Sequence, residues 1–94
     1  MTWIDITQPL YNGMPAWPGD TPFSFQLTWK KAENGIVNVG QICCSTHTGT
    51  HIDAPYHYDN EGEKVHELDL ALYIGLAQVI YVPHREQITA KDIR

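Results

Sequence analysis

The sequence has little of several things, and each shortage excludes something. Two cysteines, two methionines and two phenylalanines occur in 94 residues. The cysteines, Cys43 and Cys44, are neighbours in a run that reads as a strand. An ordinary loop-closing disulfide between them is excluded, and they are read as buried thiols rather than a metal or redox pair. Basic residues are scarce. Six Lys and Arg stand against eleven Asp and Glu, for a net charge of −5, which argues against a nucleic-acid surface or an anionic-membrane binder. No apolar run approaches the roughly 18 residues of a membrane-spanning helix. The opening MTWIDITQ lacks the charged-then-apolar layout of a signal peptide. Internal repeats, low-complexity tracts, GxGxxG and Walker loops, CxxC pairs and glycosylation triplets are all missing. What remains, 43% apolar and 18% charged, is the composition of a globular chain, and the expected location is the cytoplasm. A single domain over residues 1–94 should fold to about 5,500 Å² of accessible surface from about 15,500 Å² unfolded. Such a core is marginal and leans on a metal, disulfides or a partner.

Along the chain, Thr2 to Thr7 carries Trp3, Ile4 and Ile6 and is expected to form a short strand. Residues 8–22 hold four of the six prolines and two glycines, an irregular loop with Trp17 between Pro15 and Pro18. Phe23, Phe25, Leu27 and Trp29 then alternate with Ser24, Gln26 and Thr28, the period of a half-buried strand. Asn34-Gly35 suits a turn with positive φ, and the β-branched run from Ile36 to Ser45 is predicted to pair back as a hairpin. Further on, DNEGEK is a polar turn, and Leu68 to Ile74 makes one or two helical turns closed by Gly75. Leu76 to Val82 has the length and apolarity of a buried strand. Thr89, three residues before Asp92, is a helix-start signature. The expected class is a β-rich α/β domain with at least four strands and two short helices.

What the sequence does have is histidine. Four of the five, His47, His51, His57 and His66, fall within twenty residues. The stretch His47-Thr-Gly-Thr-His51-Ile-Asp53-Ala-Pro-Tyr-His57 places four ionisable groups at odd positions, hence on one face of an extended chain. Fully extended, His47 and His51 would stand about 13 Å apart, too far to share one ion. Gly49, the threonines, Ile52 and Pro55 oppose a helix. A bend at Thr48-Gly49 is therefore predicted, because glycine lets the backbone fold tightly enough to bring both imidazoles to one point. Asp53, on the face of His51, adds a carboxylate oxygen. Two imidazoles and a carboxylate form an open ligand set for catalytic zinc, with room left for water. Pro55 stiffens the exit and presents His57 close by.

Other candidates are weaker. An HxxxH spacing alone arises often by chance, and Asp53, Gly49 and a third histidine are what strengthen it. His66 reads as solvated and His84 as a loop residue. Glu61, Glu63, Glu67 and Asp69 read as an exposed acidic face, one of which could accept a hydrogen bond from a metal ligand. Trp3 and Trp29 are read as core. A proline-bracketed loop is a poor place to bury an indole, so packing and an aromatic platform for a flat substrate stay equally open for Trp17.

Together with Met14-Pro-Ala-Trp-Pro-Gly-Asp20 upstream, the HxGTHxDxPxH stretch resembles the metal-dependent cyclase family. Ile4-Asp-Ile-Thr-Gln-Pro-Leu and the segment Leu70 to Gly75 also look like that family, so the likeness covers essentially the whole chain. The resemblance implies a swivelling β/β/α, barrel-like fold and a homodimer. These 94 residues would be the N-terminal portion of a domain of roughly 200 residues. It implies that His47, His51 and Asp53 bind metal, with Asp53 bridging two zinc ions. It further implies that His57 is the proton donor and acceptor, that Trp17 touches substrate, and that a histidine and a glutamate from the second half complete the site. The pattern is most similar to the bacterial members that hydrolyse N-formyl-L-kynurenine to L-kynurenine and formate. Two other readings stand beside this one. One is a family hydrolase for a different cyclic or aryl amide, with manganese in place of zinc. The other is a non-catalytic, metal-stabilised binding module.

Overall fold

A hairpin organises the chain. In the computed structural model, which describes residues 2–83 and 86–93, strand β1 (Ser24–Trp29) pairs antiparallel with β2 (Val39–Cys43). The alternation read from the sequence sets the register. Phe25 faces Ile42 and Leu27 faces Gly40 on one side, while Ser24 faces Cys43 and Gln26 faces Gln41 on the other. A bulge between Leu27 and Trp29 realigns the ladder so that Trp29 meets Val39, and the Thr28 hydroxyl donates to the Val39 carbonyl at 3.1 Å. The connection is a short helix, α1 (Lys31–Asn34), closed by Gly35 in the left-handed region at φ 74°. Asn34 then turns the chain back, its Oδ1 accepting from the Ile36 and Val37 amides at 2.7 and 3.0 Å.

The proline-rich loop is tied to this hairpin by Asn12. Its Oδ1 accepts from the Phe25 N–H at 2.7 Å and its Nδ2 donates to the Phe25 carbonyl at 3.0 Å. One side-chain amide thus satisfies both polar groups of a strand residue, as a neighbouring strand would. Just inside this junction lie the two buried apolar side chains among the described residues, Met14 at 8% and Phe23 at 7% exposure.

Three expectations are corrected. Thr2 to Thr7 forms no strand, and Trp3 is 69% exposed. Leu76 to Val82 forms none either, with Val79 97% exposed. Trp29, read as core, is 62% exposed at the end of β1. The physical reason is common to the two missing strands. A strand exists only when a partner answers its backbone groups, and among the described residues β1 and β2 partner each other alone. The described residues thus hold two strands where at least four were expected. Cys43 and Cys44 are exposed thiols rather than buried ones, because Cys43 sits on the polar face of the hairpin and Cys44 beyond its end.

Downstream the chain runs through short 3₁₀ turns at Pro55–His57, Val65–Glu67, Leu70–Leu72 and Ala90–Ile93. The third of these is the helical turn expected before Gly75, with Asp69 Oδ1 accepting from Ala71 N–H at 2.9 Å. At the fourth, Asp92 Oδ2 accepts from the Thr89 amide at 2.8 Å, the reciprocal contact the Thr89–Asp92 spacing called for. His84 lies outside the described residues. The described class is mixed α/β, with extents of 58 × 38 × 30 Å and 9093 Å² of accessible surface. That area is far above the about 5,500 Å² of a self-packed chain of this mass, so the apolar face carrying Phe25, Leu27 and Ile42 lies open.

Candidate metal centre

Leaving β2, the chain enters a bend that begins at Ser45. The Thr48 hydroxyl donates to the Ser45 carbonyl at 2.8 Å, and the His47 amide donates to Ser45 Oγ at 3.0 Å. Gly49 then takes φ 60°, the positive value predicted for the turn. A Cβ at Gly49 would stand 2.9 Å from Leu10 Cδ2, so the bend packs against the proline-rich loop. On the same side, Thr50 Oγ1 accepts from the Gln8 amide at 3.0 Å.

The bend brings together the residues that extension would keep apart. His47 Nδ1 lies 3.3 Å from His51 Nε2, and Asp53 Oδ1 lies 3.1 Å from each of them. The His51 ring is oriented from behind, its Nδ1 standing 2.8 Å from the Gly49 carbonyl oxygen. A carbonyl can only accept, so Nδ1 carries the proton and neutral His51 presents a lone pair at Nε2. Lone pairs and a carboxylate converging at such distances repel unless a cation or a proton lies among them. The separations also suit an ion. Three corners of a tetrahedron with bonds of about 2.0–2.1 Å are about 3.3 Å apart. His47, His51 and Asp53 therefore fit a metal, with His47 half-buried and the other two open to solvent.

His57 is delivered to the same place by a different device. Pro55 opens the 3₁₀ turn, the His57 amide donates to the Ala54 carbonyl at 2.9 Å, and the Tyr56 amide is held by the Glu63 carbonyl at 3.0 Å. The His57 ring stands 4.2 Å from that of His47, tilted by 46°, and 4.4 Å from Tyr58. Trp17 is 78% exposed. His66 is exposed as expected. Of the four acidic residues, Glu67 and Asp69 accept from local backbone amides. Glu67 Oε2 accepts from the Lys64 amide, and Asp59 Oδ1 from that of Glu61.

Sequence reasoning missed one part of this neighbourhood. The half-buried Asp20 accepts a hydrogen bond from the Ser45 hydroxyl, which holds its carboxyl below the ordinary carboxylate value. The Thr21 amide, 2.7 Å away, adds to the effect, and His47 adds a smaller one. The available signal was Asp20 following a Pro-Gly turn, but nothing in the spacing points from residue 20 to residue 45.

The mixed α/β chain thus brings together an open His-His-Asp cluster that could hold a metal ion, with a third histidine beside it. The Cyclase family model matches residues 4–94, and the chain belongs to that family. It is 56% identical over 91 residues to the kynurenine formamidase of Bacillus thuringiensis (strain Al Hakam), an alignment covering 97% of this chain and 44% of that protein. It is 58% identical over 92 residues to the kynurenine formamidase of Geobacillus thermodenitrificans (strain NG80-2), covering 98% of this chain and again 44% of the relative. The chain thus spans less than half the length of these relatives. Among the described residues, no helix is long and apolar enough to cross a membrane.

Proposed function

We propose that the protein is an arylformamidase, hydrolysing the formamide of N-formyl-L-kynurenine to L-kynurenine and formate with zinc as cofactor. The observation that carries this reading is the meeting of His47 Nδ1, His51 Nε2 and Asp53 Oδ1 within 3.3 Å of one another, in a chain so similar to kynurenine formamidases. The 94 residues are the N-terminal portion of a domain of roughly 200 residues. Its swivelling β/β/α, barrel-like fold covers the open hairpin face, and it works as a cytoplasmic homodimer. The extent of the matched relatives and the exposed apolar surface support that assignment.

In this reading His47, His51 and Asp53 hold the metal. Bound there, the ion supplies Lewis acidity that activates water and polarises the formyl oxygen. The Gly49 carbonyl keeps the His51 proton on Nδ1 and so keeps Nε2 available. As water adds to the formyl carbon, His57 takes up its proton. An anilide nitrogen leaves poorly unless protonated, and His57 returns the proton to that nitrogen as the C–N bond breaks. Trp17 stacks on the aryl ring and orients it. Metal analysis and a formate-release assay on the full-length protein test the proposal. Zinc bound with release of formate from N-formyl-L-kynurenine is the expected result. Turnover of only other cyclic or aryl amides, activity with manganese alone, or metal without turnover would each overturn it.

A further inference from the structure

Gln8 and Thr50 lie 42 residues apart, and the Gln8 amide donates to Thr50 Oγ1 at 3.0 Å. That bond reaches the cluster's bend beside its glycine. The Gly49 carbonyl and the Thr50 amide belong to one rigid peptide plane, and the carbonyl accepts from His51 Nδ1 at 2.8 Å. The plane turns about the backbone bonds of Gly49 and Thr50, and glycine restrains such turning least of all residues. Whatever holds the plane therefore aims the carbonyl, and through it the His51 ring. The proline-rich loop grips the plane at both ends. At Thr50 it does so through the Gln8 amide, and at Gly49 through Leu10, whose Cδ2 would stand 2.9 Å from a Cβ there. The loop is itself made fast. Asn12 bonds both backbone groups of Phe25, the Met14 amide donates to the Tyr11 carbonyl at 3.1 Å, and the Met14 side chain is buried. Alongside these grips, loop and bend are parted by a cleft of about 300 Å³ lined by Gln8, Pro9, Tyr11, Met14, Pro15 and Gly49. The grips are thus points of contact and not part of a packed face.

We propose that Thr50 is a positioning residue: by accepting from Gln8, its hydroxyl anchors the Gly49–Thr50 peptide to the proline-rich loop, and the anchored carbonyl orients His51 as a metal ligand. The brace rests on the reading of His51 as a ligand, and it assigns no chemical step to Thr50 or Gln8. An acceptor is required at position 50 and a backbone N–H at position 8. Valine keeps the shape of threonine and has no acceptor, whereas serine keeps the hydroxyl. Proline at position 8 has no N–H to donate.

The test uses the full-length protein with Thr50→Val, Gln8→Pro, the double variant and Thr50→Ser. Two quantities are read. One is the zinc Kd, from competition with a chromophoric chelator. The other is the pair of ¹⁵N resonances of the His51 ring in metal-free protein at about pH 8, where a neutral imidazole shows which nitrogen carries its proton. They are assigned by their loss in His51→Gln. In wild type the proton should sit on Nδ1. Thr50→Val and Gln8→Pro should each raise the zinc Kd about tenfold, the low end of what losing a ligand's supporting contacts costs, and each should give His51 a mixture of tautomers. The double variant should be no worse than the weaker single one, and Thr50→Ser should behave as wild type. Wild-type Kd and a single tautomer in both variants, additive effects in the double variant, or serine as weak as valine would overturn the brace. So would weaker zinc binding with the His51 tautomer unmixed. If the wild type binds no zinc, the metal reading fails by itself, and the His51 resonances still decide the brace. If one variant does not fold, the other breaks the same bond from its opposite end and decides alone.

Discussion

The imidazole of His51 donates from Nδ1 to the carbonyl oxygen of Gly49 at 2.8 Å, two residues back along the chain. Gly49 therefore does two things at once. Its positive φ folds the backbone so that His47 and His51 meet, and its carbonyl selects the tautomer in which His51 Nε2 faces Asp53.

Substitution at this glycine should damage both. Gly49→Ala is expected to cost about 1–2 kcal/mol for a left-handed residue with a Cβ, and Leu10 must also yield. Gly49→Asn should cost less, because asparagine tolerates that conformation. Denaturation midpoints and zinc titrations of the full-length variants check the order wild type, Asn, Ala in both stability and affinity.

Removing one donor should empty the site rather than merely slow it. In Asp53→Ala, zinc content after dialysis should fall well below that of wild type, since the shared carboxylate oxygen approaches both imidazoles at 3.1 Å. Wild-type zinc content in this variant would remove Asp53 from the ligand set.

His57 should separate binding from chemistry. His57→Ala is expected to keep its zinc while releasing formate about 10²–10⁴-fold more slowly, the usual loss for a general acid–base group. Wild-type turnover would take His57 out of the mechanism.

The hairpin makes a prediction independent of metal. A Cβ on Gly40 would fall 2.2 Å from Phe25 Cε2, because the ring lies across the strand on the glycine. Gly40→Ala should destabilise the protein by about 1–3 kcal/mol, read as a lowered thermal midpoint. Combining it with Phe25→Leu should recover part of that loss.

Acid should loosen the proline-rich region first. The Thr7 hydroxyl and amide hold the Asp5 carboxyl below its ordinary value of 3.8, as Ser45 and Thr21 do for Asp20. A carboxyl depressed in the folded state contributes stability in full above its unfolded pKa, and loses it as pH falls through the lower folded value. Urea midpoints should therefore drop with acidification below about pH 4, and Asp20→Asn should flatten part of that slope. An unchanged slope would mean that the Ser45 contact does not persist in solution.

Much of this was legible in the residues. Alternation from Phe23 to Trp29 and the Asn34-Gly35 turn specified the hairpin, since period-2 patterning and turn chemistry are local properties. The bend at Gly49 was legible by elimination, because neither strand nor helix lets His47 and His51 share a point. Thr2 to Thr7 and Leu76 to Val82 misled because apolar β-branched composition records a need for burial and not what supplies it. Cys43 misled because strand register, rather than thiol chemistry, decides which face a residue takes.

Composition and spacing alone determined the chemistry on offer: an acidic chain with few cysteines, a histidine cluster in register with Asp53, and a glycine where the backbone has to turn. Tertiary structure decided the rest. That His57 stands 4.2 Å from His47 and that Asn12 closes the edge of β1 at Phe25 are contacts between segments whose separation along the chain carries no periodic signal. Periodicity reports which face a side chain takes. Only the packed chain reports what that face meets.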